Sequence, residues 1–493
     1  MITVSLSEAN FEYDIHSLVK AFFPKEDVKV FADLEKIAQL EQKETPLFHM
    51  EVLFERDSQS IDMEIQGGKQ PMSIKTEVDF SDRTETKNRL KRALYQMLSE
   101  YTGQTLPWGT LTGIRPTKIP MKMLEEGVSE QSIRTYMKDT YDCSEEKTDL
   151  SIEIAKRELE LLQKLDYEKG YSLYVGIPFC PSTCLYCSFT SYPLSMWEKE
   201  IDSYLDALEK EIDFTAEAFR DKHLNTIYIV GGTPTTLSPE QLDRLIAKIK
   251  SSFDLSHLLE FTVEAGRPDS ITREKLEVLR KHNISRISIN PQTMKDETLK
   301  IIGRHHTVAQ TVESYRMARE LGFDNINMDL IMGLPNENLE DVRRTMEVLK
   351  ELDPDNITVH SLAIKRAARL NMFRENYTDL KFENTWENIE LTAQYCRQMG
   401  LEPYYLYRQK NMAGNFENVG YAKPHKAGIY NILIMEEKQT IMALGAGATT
   451  KFVFDHATRM ERVENVKDVA NYLSRIDEMI DRKRKKMEEL QWH

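Results

Sequence analysis

Six short apolar runs, separated by segments with helical periodicity, dominate the middle of this 493-residue chain. Each run is rich in Ile, Val, Phe or Tyr and has the length of a buried strand. The runs cover residues 172–179, 224–231, 259–266, 286–292, 325–333 and 356–362. The segments between them carry apolar residues three and four apart, such as Leu242, Leu245, Ile246 and Ile249 after Ser238, a candidate N-cap. This alternation predicts an α/β fold in which βα units form a partial (β/α)6 barrel.

The regions on either side of the six units have different patterns. A strand-like run near the N-terminus, a hairpin-like pair and helical segments near 89–101 and 130–138 predict an N-terminal α+β domain over residues 1–165, to which the sequence assigns no role. Its loop at 106–118 is interpreted as a packed surface loop. A barrel core over 166–365 follows, and then a C-terminal α+β extension over 366–493, which is expected to cover the substrate. One final helix is expected there, ending in a solvated basic run at 482–486.

Composition narrows the class of protein. The chain has 65 Lys and Arg against 80 Asp and Glu, a net charge of −15, which argues against a nucleic-acid binder with a basic surface. It has neither a run of 18 apolar residues nor a signal-peptide pattern at its start, so we expect a cytoplasmic protein with no membrane span. Five cysteines are too few for a disulfide framework.

Three of those cysteines fall in one C-x3-C-x2-C pattern, Cys180, Cys184 and Cys187, directly after the first predicted strand. Three thiolates on a short loop can converge on one metal centre, at the end of the barrel where active sites lie. A structural zinc normally takes four protein ligands, and the nearest other cysteine in sequence is Cys143. A four-iron cluster with one open iron is therefore favoured. Zinc binding and a chance group of structural thiols remain the alternatives.

The motif YVGIPFCPSTCLYCSF resembles the radical S-adenosylmethionine (SAM) enzymes and, within them, the oxygen-independent coproporphyrinogen III oxidase group. The resemblance extends over about residues 172–452. It implies a [4Fe-4S] cluster bound by Cys180, Cys184 and Cys187, with the amino and carboxylate groups of SAM on the open iron. It also implies an electron donor such as flavodoxin or ferredoxin.

The same resemblance implies a SAM pocket built from the ends of successive strands. Its candidate residues are Tyr174, Gly231, Gly232, Thr233, Glu264, Gln292, Arg304 and Asp329. The glycine turn at residues 231–235 is expected to receive the amino end of SAM. Arg304 is expected to bind the carboxylate of SAM, because a guanidinium can donate two parallel hydrogen bonds. Asp329, inside an apolar strand, needs a hydroxyl or cation partner. Ordinary core or rim packing is the alternative for each residue.

The implied activity is an oxidative decarboxylation. A hydrogen atom leaves a propionate side chain of coproporphyrinogen III, and loss of CO2 and one electron leaves a vinyl group; two rounds give protoporphyrinogen IX. Four cations are predicted to hold the propionates of this tetrapyrrole substrate: Lys365, Arg366, Arg369 and Arg408. A solvated basic turn is the alternative. The sequence shows no triad, P-loop or H-E-x-x-H motif that would compete for the chemistry.

Some positions depart from the family pattern. Gly176 stands where relatives usually have a His, and Phe189 where the oxidase has a further cysteine. Haem-trafficking relatives have a His-Asn pair near the C-terminus, and the best match here is Tyr430-Asn431. A haem-binding chaperone and another radical reaction on a tetrapyrrole therefore remain as alternatives to the oxidase.

Overall fold

The protein forms two compact units in its computed structural model, which describes residues 1–163, 165–167, 169–189, 191–363, 368–372, 379–409, 416–454 and 458–490. The first unit is Met1–Lys156 with a short segment that begins at Arg408, and the second contains the rest of the chain from Arg157 onward. No helix within these described ranges is long and apolar enough to cross a membrane.

The first unit is an α+β layer structure. Its strands are β1 (Ile2–Leu6), β2 (Val28–Phe31), β3 (His49–Glu55), β4 (Ser60–Gln66) and β5 (Met72–Glu77). Its helices are α1 (Glu12–Phe22), α2 (Leu34–Lys43), α3 (Arg83–Thr102), α4 (Lys118–Glu125) and α5 (Glu130–Tyr141), followed by α6 (Glu145–Leu162). The predicted hairpin is present, since β3 and β4 pair antiparallel. All five residues of β1 are buried, and this strand pairs parallel with both β2 and β3.

The second unit is built on one 11-stranded sheet. Its strands, with a two-stranded ribbon of β7 and β8, are β6 (Gly170–Ile177), β7 (Phe179–Cys180), β8 (Tyr192–Pro193), β9 (His223–Gly231), β10 (Glu260–Gly266), β11 (Arg286–Ile289), β12 (Ile326–Met332), β13 (Asn356–Ser361), β14 (Glu402–Tyr407), β15 (Asn418–Ala422), β16 (Thr440–Leu444), β17 (Thr449–Phe454) and β18 (Arg459–Glu464). Its helices are α7 (Ile201–Ala218), α8 (Pro239–Ser252), α9 (Arg273–Lys281), α10 (Asp296–Ile301), α11 (Val308–Glu320), α12 (Leu339–Leu352), α13 (Arg369–Met372), α14 (Trp386–Gln398), α15 (Ile429–Glu436), α16 (Val469–Ser474) and α17 (Ile476–Glu489).

The six predicted strands are confirmed as neighbours in this sheet. Strands β6, β9, β10, β11, β12 and β13 follow one another in sequence order, and every adjacent pair is parallel. The crossovers between them contain helices, as the βα alternation predicted. The N-cap prediction also holds, because the Ser238 hydroxyl accepts a hydrogen bond from the Gln241 amide in a capping box.

The C-terminal part continues the sheet of the second unit. It adds strands to both edges of the same sheet: β15 pairs antiparallel with β13, and β16 pairs parallel with β6. The expected single final helix is two helices, which meet at Arg475, where φ is −124°. The basic run at 482–486 is not wholly solvated, because Lys483 is fully buried in an ion pair with Glu211. Local periodicity could not reveal this partner, which lies 272 residues earlier.

Candidate functional site

The cysteine loop follows the first barrel strand and is anchored at several points by main-chain hydrogen bonds. Cys180 ends the short strand β7, which pairs with β8 on the far side of the loop. In the middle of the loop, the Leu185 amide donates to the Ile302 carbonyl at 2.9 Å, and the Cys187 amide donates to the Cys184 carbonyl at 3.2 Å. These bonds fix the path of the chain between the three cysteines.

The glycine turn after β9 holds the start of the loop. The Gly232 amide donates to the Ile177 carbonyl and the Thr233 amide to the Phe179 carbonyl, each at 2.7 Å. A Cβ atom on Gly232 would lie 2.5 Å from the Phe179 carbonyl oxygen, so only glycine allows this approach. The Thr233 hydroxyl lies 3.5 Å from the Cys180 sulfur as a donor. The turn therefore positions Cys180, a role in addition to the SAM contact predicted from sequence.

The three thiols share one environment. Burial raises the pKa of Cys180, and it raises the pKa of Cys187 to about 11, with the neighbouring cysteines adding to both shifts. The Ser191 hydroxyl acts in the opposite direction on the pKa of both thiols, so it lies near both sulfurs. In the described part of the chain, no three His, Cys, Asp or Glu side chains form a group that could hold one metal ion. Three cysteines of a four-iron cluster bind three different irons, and adjacent thiols with nearby hydroxyl donors fit that requirement.

Two buried arginines face Cys184. The Arg267 guanidinium donates to the Ser182 carbonyl at 2.9 Å and lies 4.0 Å from the Cys184 sulfur, while Asp269 holds its other side at 2.6 Å. Burial acts to lower the pKa of Arg304, but Tyr186 and Cys184 beside it raise that pKa. Sequence reasoning missed Arg267, although its position directly after β10, at the carboxyl end of a barrel strand, was a usable signal.

The predicted SAM residues at the ends of β10, β11 and β12 are brought together by Asn290, which sequence reasoning also missed. The Asn290 side-chain amide donates to the Glu264 carboxylate, and its Oδ1 accepts from the Asp329 main-chain amide at 3.3 Å. The main-chain carbonyl of Asn290 accepts from the Arg304 guanidinium at 2.6 Å. Gln292 has a left-handed φ of 67°, and its amide donates to the Asp329 carbonyl at 2.9 Å. Four of the predicted residues therefore lie in one hydrogen-bonded group.

The two acids in this group have pKa values shifted in opposite directions. Burial and the Asp329 charge raise the pKa of Glu264, whose carboxylate accepts from Tyr228 at 2.5 Å. Burial acts in the same direction on Asp329, but His360, whose Nε2 lies 3.8 Å from Oδ2, outweighs it together with Asn327 and Thr358, so the pKa of Asp329 is lowered. The hydroxyl or cation partner expected for Asp329 is thus present. Opposed pKa values in adjacent acids are typical of functional sites.

A cavity of about 170 Å³ lies beside the cysteine loop, at the ends of β6, β9 and β16. Its lining includes Tyr174 and Gly231 from the predicted SAM pocket, together with Gly176, Phe189 and Ala446. Burial raises the pKa of Tyr174 to about 12, so its hydroxyl stays protonated near neutral pH and can donate a hydrogen bond.

The predicted substrate cations are not brought together by the described structure. Lys365, Arg366 and the side chain of Arg369 lie outside the described residues. Arg408 is 5% exposed within the first unit, where its guanidinium donates to the Leu111 carbonyl at 2.5 Å and lies 5.9 Å from the Trp108 ring centre. A buried arginine bound to main chain gives no support to the predicted substrate contact.

Three residues of the first unit are arranged like a catalytic triad, and no sequence motif predicted this arrangement. The Ser5 hydroxyl lies 3.0 Å from His49 Nε2, and Glu41 lies 3.0 Å from His49 Nδ1. Ser5 is 2% exposed near the end of β1, which lies between two paired strands. A hydroxyl at that depth is closed to a substrate, so we interpret the three residues as a polar contact between α2 and the sheet.

Comparisons with known proteins show which family the chain belongs to. Residues 174–349 match the family model of the radical SAM superfamily. Over 82% of this chain and 82% of its own length, the Bacillus subtilis oxygen-independent coproporphyrinogen-III oxidase-like protein HemZ is 42% identical. The heme chaperone HemW of Bacillus subtilis is 34% identical over 56% of this chain and 70% of its own. The solved Escherichia coli coproporphyrinogen III oxidase HemN aligns with a TM-score of 0.52 and 25% identity, covering 65% of this chain and 72% of HemN.

The parallel sheet and the three-cysteine loop at its carboxyl edge thus define a radical SAM protein, whose cofactors are a [4Fe-4S] cluster and SAM. Within that class, the chain belongs to the family of oxygen-independent coproporphyrinogen III oxidase-like proteins.

Proposed function

We propose that this protein decarboxylates coproporphyrinogen III to protoporphyrinogen IX without oxygen. The observation that carries the proposal is the 42% identity, over most of both chains, with a coproporphyrinogen-III oxidase-like protein. Two hydrogen-bonded groups at the strand ends, Thr233 with Cys180 and Asn290 with Glu264 and Arg304, add support, because this is where barrel proteins hold their reacting groups.

Roles for the chain's own residues follow from their contacts. Cys180, Cys184 and Cys187 would bind three irons, and the amino acid part of SAM the fourth. Arg304 and the glycine turn would orient SAM, and Glu264 would accept hydrogen bonds from its ribose hydroxyls. When bound, the cluster and SAM supply the one-electron chemistry that removes a hydrogen atom from an unactivated carbon. The protein contributes position and exclusion of water.

For each propionate, the proposed reaction breaks one C–H and one C–C bond. The hydrogen atom passes to the SAM-derived fragment, the carboxylate leaves as CO2, and one electron passes to an external acceptor, leaving a vinyl group. A reductant such as flavodoxin or ferredoxin supplies the electron that starts each round.

A haem chaperone is the second candidate, because HemW is 34% identical over 70% of its length. The surroundings of Tyr430, the best match to the relatives' His-Asn pair, weigh against it. Tyr430 is 2% exposed, and its ring stacks on Tyr228 with 4.7 Å between ring centres. A phenol in that stack is not open to a haem iron.

The test uses the full chain, reconstituted anaerobically with iron and sulfide and incubated with SAM, a reductant, an electron acceptor and coproporphyrinogen III. We expect two CO2 released for each divinyl product formed. Cys184→Ala should abolish iron binding and turnover, whereas Cys396→Ala, at a buried cysteine in α14, should retain both. SAM cleavage without CO2 would instead indicate another radical reaction, and tight haem binding without turnover would indicate the chaperone.

A further inference from the structure

The Glu264 carboxylate, near the end of β10, has one protein donor on each of its two oxygens. The Tyr228 hydroxyl donates to Oε2 at 2.5 Å, and the Asn290 side-chain amide donates to Oε1. These are the two donors to Glu264 within the described part of the chain. An ionised carboxylate oxygen can accept two hydrogen bonds, so each oxygen retains one acceptor position. The carboxylate is therefore held in one orientation and can still accept from two neighbouring hydroxyls of a ligand.

Tyr228 reaches Glu264 from deeper inside the barrel. In the pairing of β9 with β10, Tyr228 lies opposite Thr262, two residues before Glu264 along the strand. The ligand site of a parallel barrel lies at the carboxyl ends of its strands, so Tyr228 is on the side of the acid that faces away from a ligand. Tyr228 is also not one of the residues that line the cavity beside the cysteine loop. This position favours action through Glu264 over direct contact with a ligand.

The Tyr228 ring is held in place by the C-terminal region. It stacks on Tyr430 of α15, with 4.7 Å between ring centres and 15° between ring planes. Helix α15 is itself bound to the strand that carries Glu264, because the Ile429 amide donates to Glu260 at 2.5 Å. The stack thus fixes the direction in which the Tyr228 hydroxyl points. The Tyr430 hydroxyl has no hydrogen-bond partner in the described structure, so only one of the two stacked phenols serves the acid.

The Tyr228 hydroxyl remains a donor at any physiological pH. Burial and the neighbouring Glu264 charge raise the pKa of Tyr228 well above its ordinary value of 10.0. A phenol that stays protonated can donate to an ionised carboxylate throughout that range.

We propose that Tyr228 is a positioning residue for the ribose of SAM, because it orients the Glu264 carboxylate so that both oxygens accept from the two ribose hydroxyls. This inference rests on the role of Glu264 in the proposed function and does not depend on the identity of the substrate. Tyr228 acts through Glu264 and touches neither SAM nor the cluster. Through the ring of Tyr430, the C-terminal region contributes to the cofactor site without providing a ligand.

Methionine separates an effect on the ribose from an effect on the cluster. It has the amino and carboxylate groups of SAM but no ribose, so it can bind the open iron and cannot bind Glu264. Both affinities are measured on the full chain after anaerobic reconstitution. Equilibrium dialysis against SAM uses the oxidised cluster, which has no electron with which to cleave SAM. A titration with methionine follows the electron paramagnetic resonance spectrum of the reduced cluster.

Tyr228→Phe removes one oxygen atom and retains the ring and its stack. The affinity for SAM should fall about tenfold, because a hydrogen bond to a charged acceptor is lost. The affinity for methionine and the iron content should equal those of the parent protein. The matched control is Tyr430→Phe, which removes an unpartnered hydroxyl from the other ring of the same stack and should bind SAM like the parent. Glu264→Gln, which weakens the acceptor itself, should lose at least as much SAM affinity as Tyr228→Phe.

Unchanged affinity for SAM in Tyr228→Phe would overturn the positioning role. Equal losses of SAM and methionine would also overturn it, because the damage would then lie at the cluster. An equal loss in Tyr430→Phe would assign the effect to the stack and not to the Tyr228 hydroxyl. Unchanged SAM affinity in Glu264→Gln would reject the ribose contact itself. Since no turnover is measured, a parent protein that binds SAM and releases no CO2 would reject the proposed decarboxylation, while SAM binding still decides the role of Tyr228.

Discussion

Lys483 in the final helix forms an ion pair with Glu211 in α7, and both side chains are fully buried. The Lys483 ammonium also donates to the Ala443 carbonyl at 2.8 Å, at the end of β16. The pair therefore ties the C-terminal helix to the strand that leads into the wall of the cavity.

Breaking this pair from one side should be costly. Lys483→Met or Glu211→Gln alone should each lower the free energy of unfolding by about 3–5 kcal/mol, because an uncompensated charge or a lost partner remains buried. The double variant should be less destabilised than the sum of the two. Denaturant titration of all three proteins measures this coupling, and strictly additive losses would contradict it. Lys485→Met, at an exposed position of the same helix, should change stability by less than about 0.5 kcal/mol.

Gly232→Ala should damage the start of the cysteine loop. The new Cβ would meet main-chain atoms of Phe179 at 2.5 to 2.9 Å, and main chain cannot move aside as a flexible side chain does. We expect the free energy of unfolding to fall by about 1–3 kcal/mol and the iron content after reconstitution to be reduced. Gly113→Ala is the matched control, because no atom lies within 4 Å of its added Cβ. Equal iron content in the two variants would mean that the glycine turn does not position Cys180.

Arg267→Met should weaken the cluster site without unfolding the sheet. The guanidinium joins Ser182, Cys184 and Asp269, so its removal frees the middle of the cysteine loop. Outer contacts of this kind typically affect metal affinity by about 10- to 100-fold. Retention of iron against a chelator measures the effect. Arg273→Met, which removes an arginine whose side chain is 47% exposed, should retain iron like the parent protein. Equal losses of iron in the two variants would contradict a role of Arg267 at the cluster site.

Lys91 should make the first unit less stable at neutral pH than at high pH. Burial lowers the pKa of Lys91 to about 8 in the folded protein, from 10.5 for an ordinary lysine. Between these values the unfolded chain binds more protons, so stability rises with pH from about 8 to 10.5, and below pH 8 the full penalty is present.

Lys91→Met should therefore stabilise the first unit at pH 7 by about 1–3 kcal/mol and should remove the rise in that window. Amide exchange of α3 in the full chain measures both effects. Lys75→Met, whose lysine side chain is 60% exposed, should leave the pH profile as it is. A profile that Lys91→Met leaves unaltered would exclude Lys91 as its source.

The barrel strands could be predicted because their signals are local. Runs such as 224–231 carry their own apolar pattern. Because parallel strands bring their carboxyl ends to one edge of the sheet, the sequence alone predicts that Glu264, Gln292 and Asp329 lie close together. The cysteine spacing was equally local. These features need no knowledge of which distant residues meet.

What could not be predicted depends on distant pairs. Ser5 and His49 are 44 residues apart, and Glu211 and Lys483 are 272 apart. A basic run in a polar helix has the same pattern whether one of its lysines is solvated or buried, so only the tertiary partner distinguishes them. The helix break at Arg475 was missed for a related reason, since apolar spacing continues across it from Val469 to Ile480.

The parallel pairing of β16 with β6 also sets an order of events during synthesis. Strand β6 begins at Gly170, yet its neighbour β16 begins only at Thr440. Until β16 has been synthesised, a nascent chain therefore lacks one support of the strand that leads into Cys180, and contacts of such long sequence separation form slowly. Delivery of iron and sulfide to the cysteine loop should consequently follow the pairing of β16 with β6.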